Sequence, residues 1–275
     1  MDIKDALEMV SMSHPGMVRA HNEDSVACEP DLGLVVLADG MGGYNAGEVA
    51  SGIAVSVVIS EIKHAMEEIR PEDQDEESGG DVAVSLLRNN VQKANSSIYH
   101  AAHSQPQYSG MGTTIVSGLF YDNRVAVAHI GDSRMYRLRG DVLESITKDH
   151  SLLQEQIDSG MISKADARQS QNKNLVTRAV GIDAEVETEI HVHEVRRGDV
   201  YVLCSDGLND MVEDNDIAEI VKTLKANLPL MASQLIQTAN DNGGRDNVSV
   251  IVVKVNGDFA AQRSVIGKFL SWFKN

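Results

Sequence analysis

Cysteine and positive charge are both scarce in this sequence. The 275 residues include two cysteines, Cys28 and Cys204, and no CxxC pair, so neither a disulfide framework nor a structural zinc site is expected. So few thiols are typical of a reducing compartment, and we expect a cytoplasmic protein. There are 24 Lys and Arg against 41 Asp and Glu, which gives a formal net charge of −17. Because sequence-independent binding of nucleic acid requires cations that neutralise phosphates, this balance argues against such a partner.

Long apolar stretches and linkers are missing as well. The first residues, MDIKDALEMVSMSHPG, carry acids and lack the apolar core of a signal peptide. No stretch approaches the roughly 18 apolar residues of a membrane span. The sequence shows no internal repeat and no Pro/Ser-rich linker that would divide the chain. With a hydrophobic content of 42%, we expect one domain with a substantial core.

The order of predicted elements indicates an α+β fold. Apolar residues at helical spacing predict two long helices, and a segment rich in β-branched residues then predicts a run of antiparallel strands. A buried strand is predicted over 34–37, the long helices over 47–69 and 82–102, and strand-rich segments over 112–147 and 188–208. A short helix near Gly160, a polar loop over 163–174, helices over 214–225 and 229–240, and a strand over 248–255 complete the prediction. Strands in this arrangement are expected to form sheets packed against helices.

Four aspartates share one local design, because each abuts a strand and has Gly or Asn within one or two residues. They are Asp39 in LADGMGG, Asp132 in HIGDSR, Asp206 in CSDGLND and Asp246 in GGRDNVSV. For any single one of them, a common Asp-Gly turn is the simpler interpretation. Four together favour a site for Mg²⁺ or Mn²⁺, which require hard oxygen ligands. Gly40 would also let a backbone carbonyl approach such an ion closely.

The stretch RAHNED adds a cation and two acids. Arg19 carries a planar guanidinium suited to phosphate. Glu23 and Asp24 are neighbours in a predicted strand, so their side chains should point to opposite faces. Taken alone, the stretch is better explained as a polar surface segment.

Eight stretches in order resemble the metal-dependent serine/threonine protein phosphatases of the PP2C (PPM) family, in their compact bacterial form. They are RAHNEDS, LADGMGG, GTT, HIGDSR, TKDHS, LVTRAVG, CSDGL and GGRDNVSV, and they run from about Gly16 to Val255. The resemblance implies a four-layer α-β-β-α sandwich, in which two central antiparallel sheets are flanked by helix pairs. It places the phosphatase domain at 1–257 and leaves 258–275 as a tail with the pattern of an amphipathic helix.

The resemblance also implies the site. Two Mn²⁺ or Mg²⁺ ions would be bridged by Asp39, with Gly40 offering its carbonyl and Asp206 and Asp246 completing one shell. Asp24 and Glu23 would hold waters bound to the metals, and Arg19 would hold the substrate phosphate. Asp132 matches the ligand of a third metal, with Asp206 shared. Met41 departs from the animal-type pattern, which has a histidine there as a proposed general acid; a water at the third metal is the alternative proton donor.

The implied activity is hydrolysis of phosphoserine and phosphothreonine in proteins, with Asp39, Asp206 and Arg19 as the catalytic set. The expected partners are phosphorylated proteins and a bacterial Ser/Thr kinase, and we expect a monomer. The loop 163–174 occupies the position of the family's flap beside the metal cleft, but a plain connector explains it equally well. Two other functions stay open: a catalytically inactive binding module, and a hydrolase that uses paired carboxylates without metal. Chelation by EDTA separates the last from a metal enzyme.

Overall fold

Two antiparallel sheets form the centre of the molecule. The structure is a computed structural model that describes residues 1–43, 45–76, 78–163, 166 and 175–261. Its strands are β1 Leu7–His14, β2 Asp24–Glu29, β3 Leu34–Met41, β4 Gly112–Thr113, β5 Ile115–Tyr121, β6 Arg124–Ile130, β7 Arg134–Arg139, β8 Val142–Ser145, β9 Glu189–Glu194, β10 Val200–Cys204 and β11 Val248–Val255. One sheet has the order β1-β11-β10-β7-β8, and the other has the order β2-β3-β5-β6-β9, with β4 paired to β3.

Helices cover the outer face of each sheet. They are α1 Ile3–Ala6, α2 Ala46–Ala65, α3 Val82–Ser104, α4 Leu152–Asp158, α5 Asp206–Asn209, α6 Asp214–Leu224 and α7 Leu228–Asp241, with a 3₁₀ turn at Pro106–Tyr108. The long helices α2 and α3 pack on the sheet that contains β3, and α6 and α7 pack on the sheet that contains β11. The predicted four-layer α-β-β-α sandwich of the α+β class is therefore confirmed.

The apolar runs in the strands follow from burial on both faces. In β3, Leu34 and Val36 pack under α2 and α3, while Val35 and Leu37 point into the layer between the sheets. A strand covered on both sides has no face left for polar residues, so its sequence is continuously apolar rather than alternating. The same division holds in β11.

The layer between the sheets is closed by aromatic packing. Phe120 of β5 and Tyr201 of β10 meet edge to face, with ring centroids 5.3 Å apart, and both are fully buried. This contact joins the two sheets directly. Burying one such side chain stabilises the fold by roughly 1.5–3 kcal/mol.

The segment predicted as strand over 188–208 ends in the short helix α5, Asp206–Asn209. The predicted helices agree with the structure except at a few ends. The largest difference is α2, which ends at Ala65 instead of residue 69. The chain turns at 66–68, shortly before Pro71, and proline disfavours a helical conformation in the residue that precedes it. The predicted strand 248–255 is confirmed as Val248–Val255.

Two predicted segments lie largely outside the described residues. Only residues 163 and 166 of the loop 163–174 are described, so its role as a flap stays a prediction. The tail 258–275 is described through Ala261, and within that part Phe259 is buried between the sheets. Among the helices that are described, none is long and apolar enough to cross a membrane.

Candidate metal centre

The antiparallel register brings five aspartates to one end of the sandwich. Asp24 opens β2 and is paired with Asp39 near the end of β3. Asp206 follows the end of β10, and Asp246 precedes the start of β11, the antiparallel neighbour of β10. Asp132 follows the end of β6. In antiparallel neighbours the end of one strand lies beside the start of the next, so acids far apart in sequence become neighbours.

Burial and mutual repulsion disfavour the charged forms of these acids. Asp39 has its pKa raised well above the ordinary value by burial and then by the charges of Asp24, Asp206, Asp132 and Asp246. Burial followed by the charge of Asp132 raises the pKa of Asp206 in the same way. Burial raises the pKa of Asp24 to about 6 and that of Asp132 to about 7. Carboxylates that repel one another in this way need a cation among them to stay ionised.

The donor set fits such a cation. Asp24 Oδ1 and Asp206 Oδ1 are buried and have no hydrogen-bond partner among the described residues. An unpaired buried carboxylate oxygen costs free energy unless it binds a metal or a donor. Oxygen ligands of this kind suit Mg²⁺ and Mn²⁺ rather than softer ions.

Gly40 lies where no side chain fits. A Cβ at this position would come within 2.1 Å of the carbonyl oxygen of Gly47 in α2 and 2.6 Å of that of Glu23. The Gly40 N–H donates to the same Glu23 oxygen at 3.1 Å. The end of β3 is therefore pressed against the start of α2, and glycine is required at both contact positions.

Two threonines hold the backbone of Asp39. Thr114 Oγ1 accepts from the Asp39 N–H at 3.0 Å, and Thr113 Oγ1 donates to the Asp39 carbonyl at 2.8 Å. Thr114 Oγ1 also lies 2.7 Å from Ser133 Oγ, next to Asp132. All these hydroxyls are buried, so the GTT stretch fixes Asp39 relative to Asp132.

Arg19 and Glu23 lie at the edge of this cluster. Arg19 Nη2 donates to Asp246 Oδ2 at 2.7 Å, and the Arg19 side chain is 53% exposed. It is thus both attached to the acids and open to solvent. Glu23 lies just before β2 rather than inside it, and its carboxylate accepts from the Gly47 N–H at the start of α2. Burial raises the pKa of Glu23.

Three residues support the site although no role was predicted for them from sequence. The charge of Asp210, four residues after Asp206, raises the pKa of both Asp206 and Asp132. Ser205 Oγ donates to Asp24 Oδ2 at 2.8 Å and accepts from the Ser249 N–H at 3.0 Å. All three lie in or beside the quoted motifs CSDGLND and GGRDNVSV, which was the available signal.

A histidine cluster lies beside this centre. One ligand atom each of His129, His150 and Glu189 lies within 4.8 Å of the others. His150 Nδ1 accepts from the Gly131 N–H at 3.2 Å, so the neutral ring carries its proton on Nε2, which donates to Glu189 at 3.1 Å. The nitrogen that faces Glu189 therefore has no free lone pair for a cation. We assign this group as a hydrogen-bonded cluster and not as a second metal site.

Comparison with known proteins identifies the family. A family model described as Protein phosphatase 2C matches residues 18–237. The chain belongs to the protein phosphatase 2C family. The serine/threonine phosphatase stp of Listeria monocytogenes serovar 1/2a is 37% identical over 242 residues, which cover 87% of this chain and 92% of that protein. The predicted family is therefore confirmed.

Solved structures of protein phosphatase 2C enzymes share the fold. The serine/threonine phosphatase PstP/Ppp of Mycobacterium tuberculosis superposes with a TM-score of 0.81 at 37% identity, over 91% of this chain and 99% of that chain. A structure of the PstP catalytic domain in complex with two manganese ions gives a TM-score of 0.78 at 39% identity, with the same coverage.

The raised pKa values predict how metal-free stability depends on pH in this protein phosphatase 2C member. The five carboxyl groups concerned are those of Asp24, Asp39, Asp132, Asp206 and Glu23. Between an ordinary aspartate pKa of about 4 and the raised values, the folded state keeps protons that the unfolded chain has released. The free energy of unfolding in EDTA should therefore fall as the pH rises from about 5 to about 7.

Two histidines act in the opposite direction over part of this range. Burial lowers the pKa of His129 and His193, which favours the folded state as the pH rises towards about 6.5. Two histidines oppose five carboxyl groups, so stability should still fall as the pH rises. Urea unfolding followed by circular dichroism measures it, and Mn²⁺ should reverse the slope because ionised carboxylates bind the cation. A metal-free stability that rises with pH across this range would contradict the prediction.

Proposed function

We propose that this chain hydrolyses phosphoserine and phosphothreonine in proteins by means of two Mn²⁺ or Mg²⁺ ions. The observation that carries the proposal is the convergence of five aspartates at one end of the sandwich, with Arg19 at their open edge. Its relatives support it, because they are described as serine/threonine phosphatases and one was solved with two manganese ions.

Each acid has a proposed place. Asp39 lies among the other four aspartates and would hold both ions, with Gly40 offering its carbonyl to one of them. Asp206 and Asp246, brought together by β10 and β11, hold the other ion. Asp24 orients water through its buried carboxylate, and Glu23 does so at the outer edge. Asp132 would share a third ion with Asp206, whose pKa is raised by burial and then by the charge of Asp132.

The chemistry is divided between the ions and the chain. When bound, two such ions lower the pKa of a water molecule and neutralise charge on the phosphoryl oxygens. The exposed guanidinium of Arg19 can donate hydrogen bonds to two phosphate oxygens. Its ion pair with Asp246 keeps it beside the acids. The side chain of Met41, at the end of β3, is a thioether and has no proton to give to the leaving group.

The setting of this activity is also a proposal. We infer a cytoplasmic enzyme that counteracts a bacterial Ser/Thr kinase and works as a monomer, with residues 1–257 as the phosphatase domain. Cys28 and Cys204 are both free thiols, which suits a reducing compartment. Phosphoproteomics of cells that carry Asp39→Asn in place of the native chain would identify the substrates.

Metal removal tests the proposed function. Protein dialysed against EDTA should show no turnover of phosphoserine or phosphothreonine peptides, and Mn²⁺ should restore it, because the carboxylates alone supply no activated water. Turnover that persists in EDTA would indicate a carboxylate-only hydrolase. Saturable Mn²⁺ binding without any turnover would indicate an inactive binding module.

Calorimetric titration with Mn²⁺ tests whether Asp132 holds a third ion. Calorimetry should find one Mn²⁺ fewer per chain in Asp132→Ala than in the native protein, with the tightest two sites retained. An unchanged stoichiometry would remove Asp132 from the ligand set without affecting the two-ion proposal.

A further inference from the structure

We propose that Asn247 is a positioning residue that holds the Arg19 loop at the correct distance from the metal-binding acids. The inference rests on the proposed function, in which Arg19 binds the substrate phosphate. The loop concerned comprises residues 15–23, which connect β1 to β2 and contain no helix or strand. Without ladder hydrogen bonds of its own, this loop must be held in place by contacts with the rest of the domain.

The Asn247 amide supplies three of these contacts. Its Oδ1 accepts from the Glu23 N–H at 2.8 Å. Its Nδ2 donates to the carbonyl oxygens of Pro15 at 3.0 Å and His21 at 2.8 Å. Both ends of the loop are thus bound to one side chain, which is only 6% exposed. Because carbonyls only accept and an N–H only donates, these partners determine the orientation of the amide.

Asn247 also contacts the carboxylate that pairs with Arg19. Its backbone N–H donates to Asp246 Oδ1 at 2.9 Å, while Asp246 Oδ2 accepts from Arg19 at 2.7 Å. A single residue therefore connects the loop that carries the phosphate-binding arginine with the acid that binds metal.

The loop lies on the turn before β11 without spare room. Gly16 has a φ of +78°, and a Cβ there would lie 2.1 Å from the Asp246 carbonyl oxygen. The Met17 N–H donates to the Gly244 carbonyl at 2.7 Å. These backbone contacts position the middle of the loop against the turn before β11. The hydrogen bonds of the Asn247 amide hold both ends of the loop in place.

The consequence concerns the distance between Arg19 and the acids. A phosphate must contact the guanidinium and the ions at the same time, and misplacement by about 1 Å can cost on the order of 10²-fold in rate. Asn247 touches the loop backbone rather than substrate, so its removal should weaken phosphate binding through Arg19 while Asp39, Asp206 and Asp132 stay in place.

A double-mutant cycle with Arg19 tests this inference. Asn247→Ala should raise both the KM for a phosphothreonine peptide and the inhibition constant of inorganic phosphate by about tenfold, at Mn²⁺ saturation. In an Arg19→Ala background the same change should alter either quantity by less than about twofold, because the arginine it positions is absent. A purely structural role would give the same factor in both backgrounds.

Controls keep the outcomes distinct. Asn242→Ala removes an exposed amide that donates to the Met211 carbonyl at 2.8 Å, and it should leave both constants unchanged. Asn247→Ser leaves a slightly smaller cavity than alanine and introduces one hydroxyl that can replace part of the amide's hydrogen bonding. It should give intermediate values and serves if the alanine variant folds poorly.

Two results would overturn the inference, and they differ in what else they affect. If Arg19→Ala itself leaves KM and phosphate inhibition unchanged, then the phosphate-binding role of Arg19 fails, and the positioning role of Asn247 fails with it. If Arg19→Ala weakens phosphate binding but Asn247→Ala has no effect or acts additively, only the positioning role is wrong.

Discussion

Replacing Asp39 by asparagine should lower kcat on phosphopeptides by on the order of 10³-fold and at the same time raise the melting temperature of the metal-free protein. The loss of activity follows from removal of the proposed bridging carboxylate. The gain in stability follows because burial and then four neighbouring carboxylates disfavour the charge on Asp39, and asparagine carries no charge. Steady-state kinetics with Mn²⁺ and thermal unfolding in EDTA measure the two effects.

Asp199→Asn is the matched control for this experiment. Asp199 is also a buried aspartate, 2% exposed, but it lies just before β10, at the opposite end of that strand from Asp206. Its carboxylate accepts from Arg139 at 2.9 and 2.7 Å, so asparagine there should lower stability and spare activity. If Asp39→Asn instead destabilised the metal-free protein as Asp199→Asn does, the acids at the site would not be in mutual repulsion.

Gly40→Ala should lower the free energy of unfolding by about 3 kcal/mol and weaken Mn²⁺ binding. The added methyl would lie 2.1 Å from the Gly47 carbonyl oxygen, and both contact partners are backbone atoms that cannot rotate away. Either β3 or α2 must shift, and β3 carries Asp39. Urea unfolding in EDTA and calorimetric Mn²⁺ titration measure the two effects.

Gly43→Ala provides the comparison for this substitution. A Cβ at Gly43 has nothing within 4 Å, although the residue lies only three positions further along the chain. Its stability should stay within about 0.5 kcal/mol of the native protein. Equal effects of the two alanines would show that loss of glycine flexibility matters here, and not the close approach of β3 to α2.

Much of the architecture could be predicted because the spacing of apolar residues within short stretches indicates the helices and strands. The spacing of apolar residues in α3 and the largely apolar sequence of β11 each reflect which faces are buried, so their bounds were predicted to within two residues. The end of α2 was less predictable, because its sequence stays compatible with a helix and the turn before Pro71 decides where it stops.

The residues of the candidate site could likewise be predicted only in part from sequence. Asp39, Asp132, Asp206 and Asp246 could be selected from sequence because each stands beside a strand with glycine or asparagine nearby. Asn247 could not be selected, since its importance lies in contacts with Pro15 and His21, more than 200 positions away. Nothing in the local pattern of an asparagine indicates which distant carbonyls it will reach.

The sequence by itself determined the elements, the family and the type of ligand. Each of these depends on side-chain chemistry and on spacing within a short stretch, and both are visible in the printed residues. Only the tertiary structure decided that Asp24 faces Asp39, that Arg19 pairs with Asp246, and that α2 presses on Gly40. Those relations arise from strand register and from close packing between layers. They are properties of the folded whole, because the free energy that selects them comes from surfaces that meet only after the chain has folded.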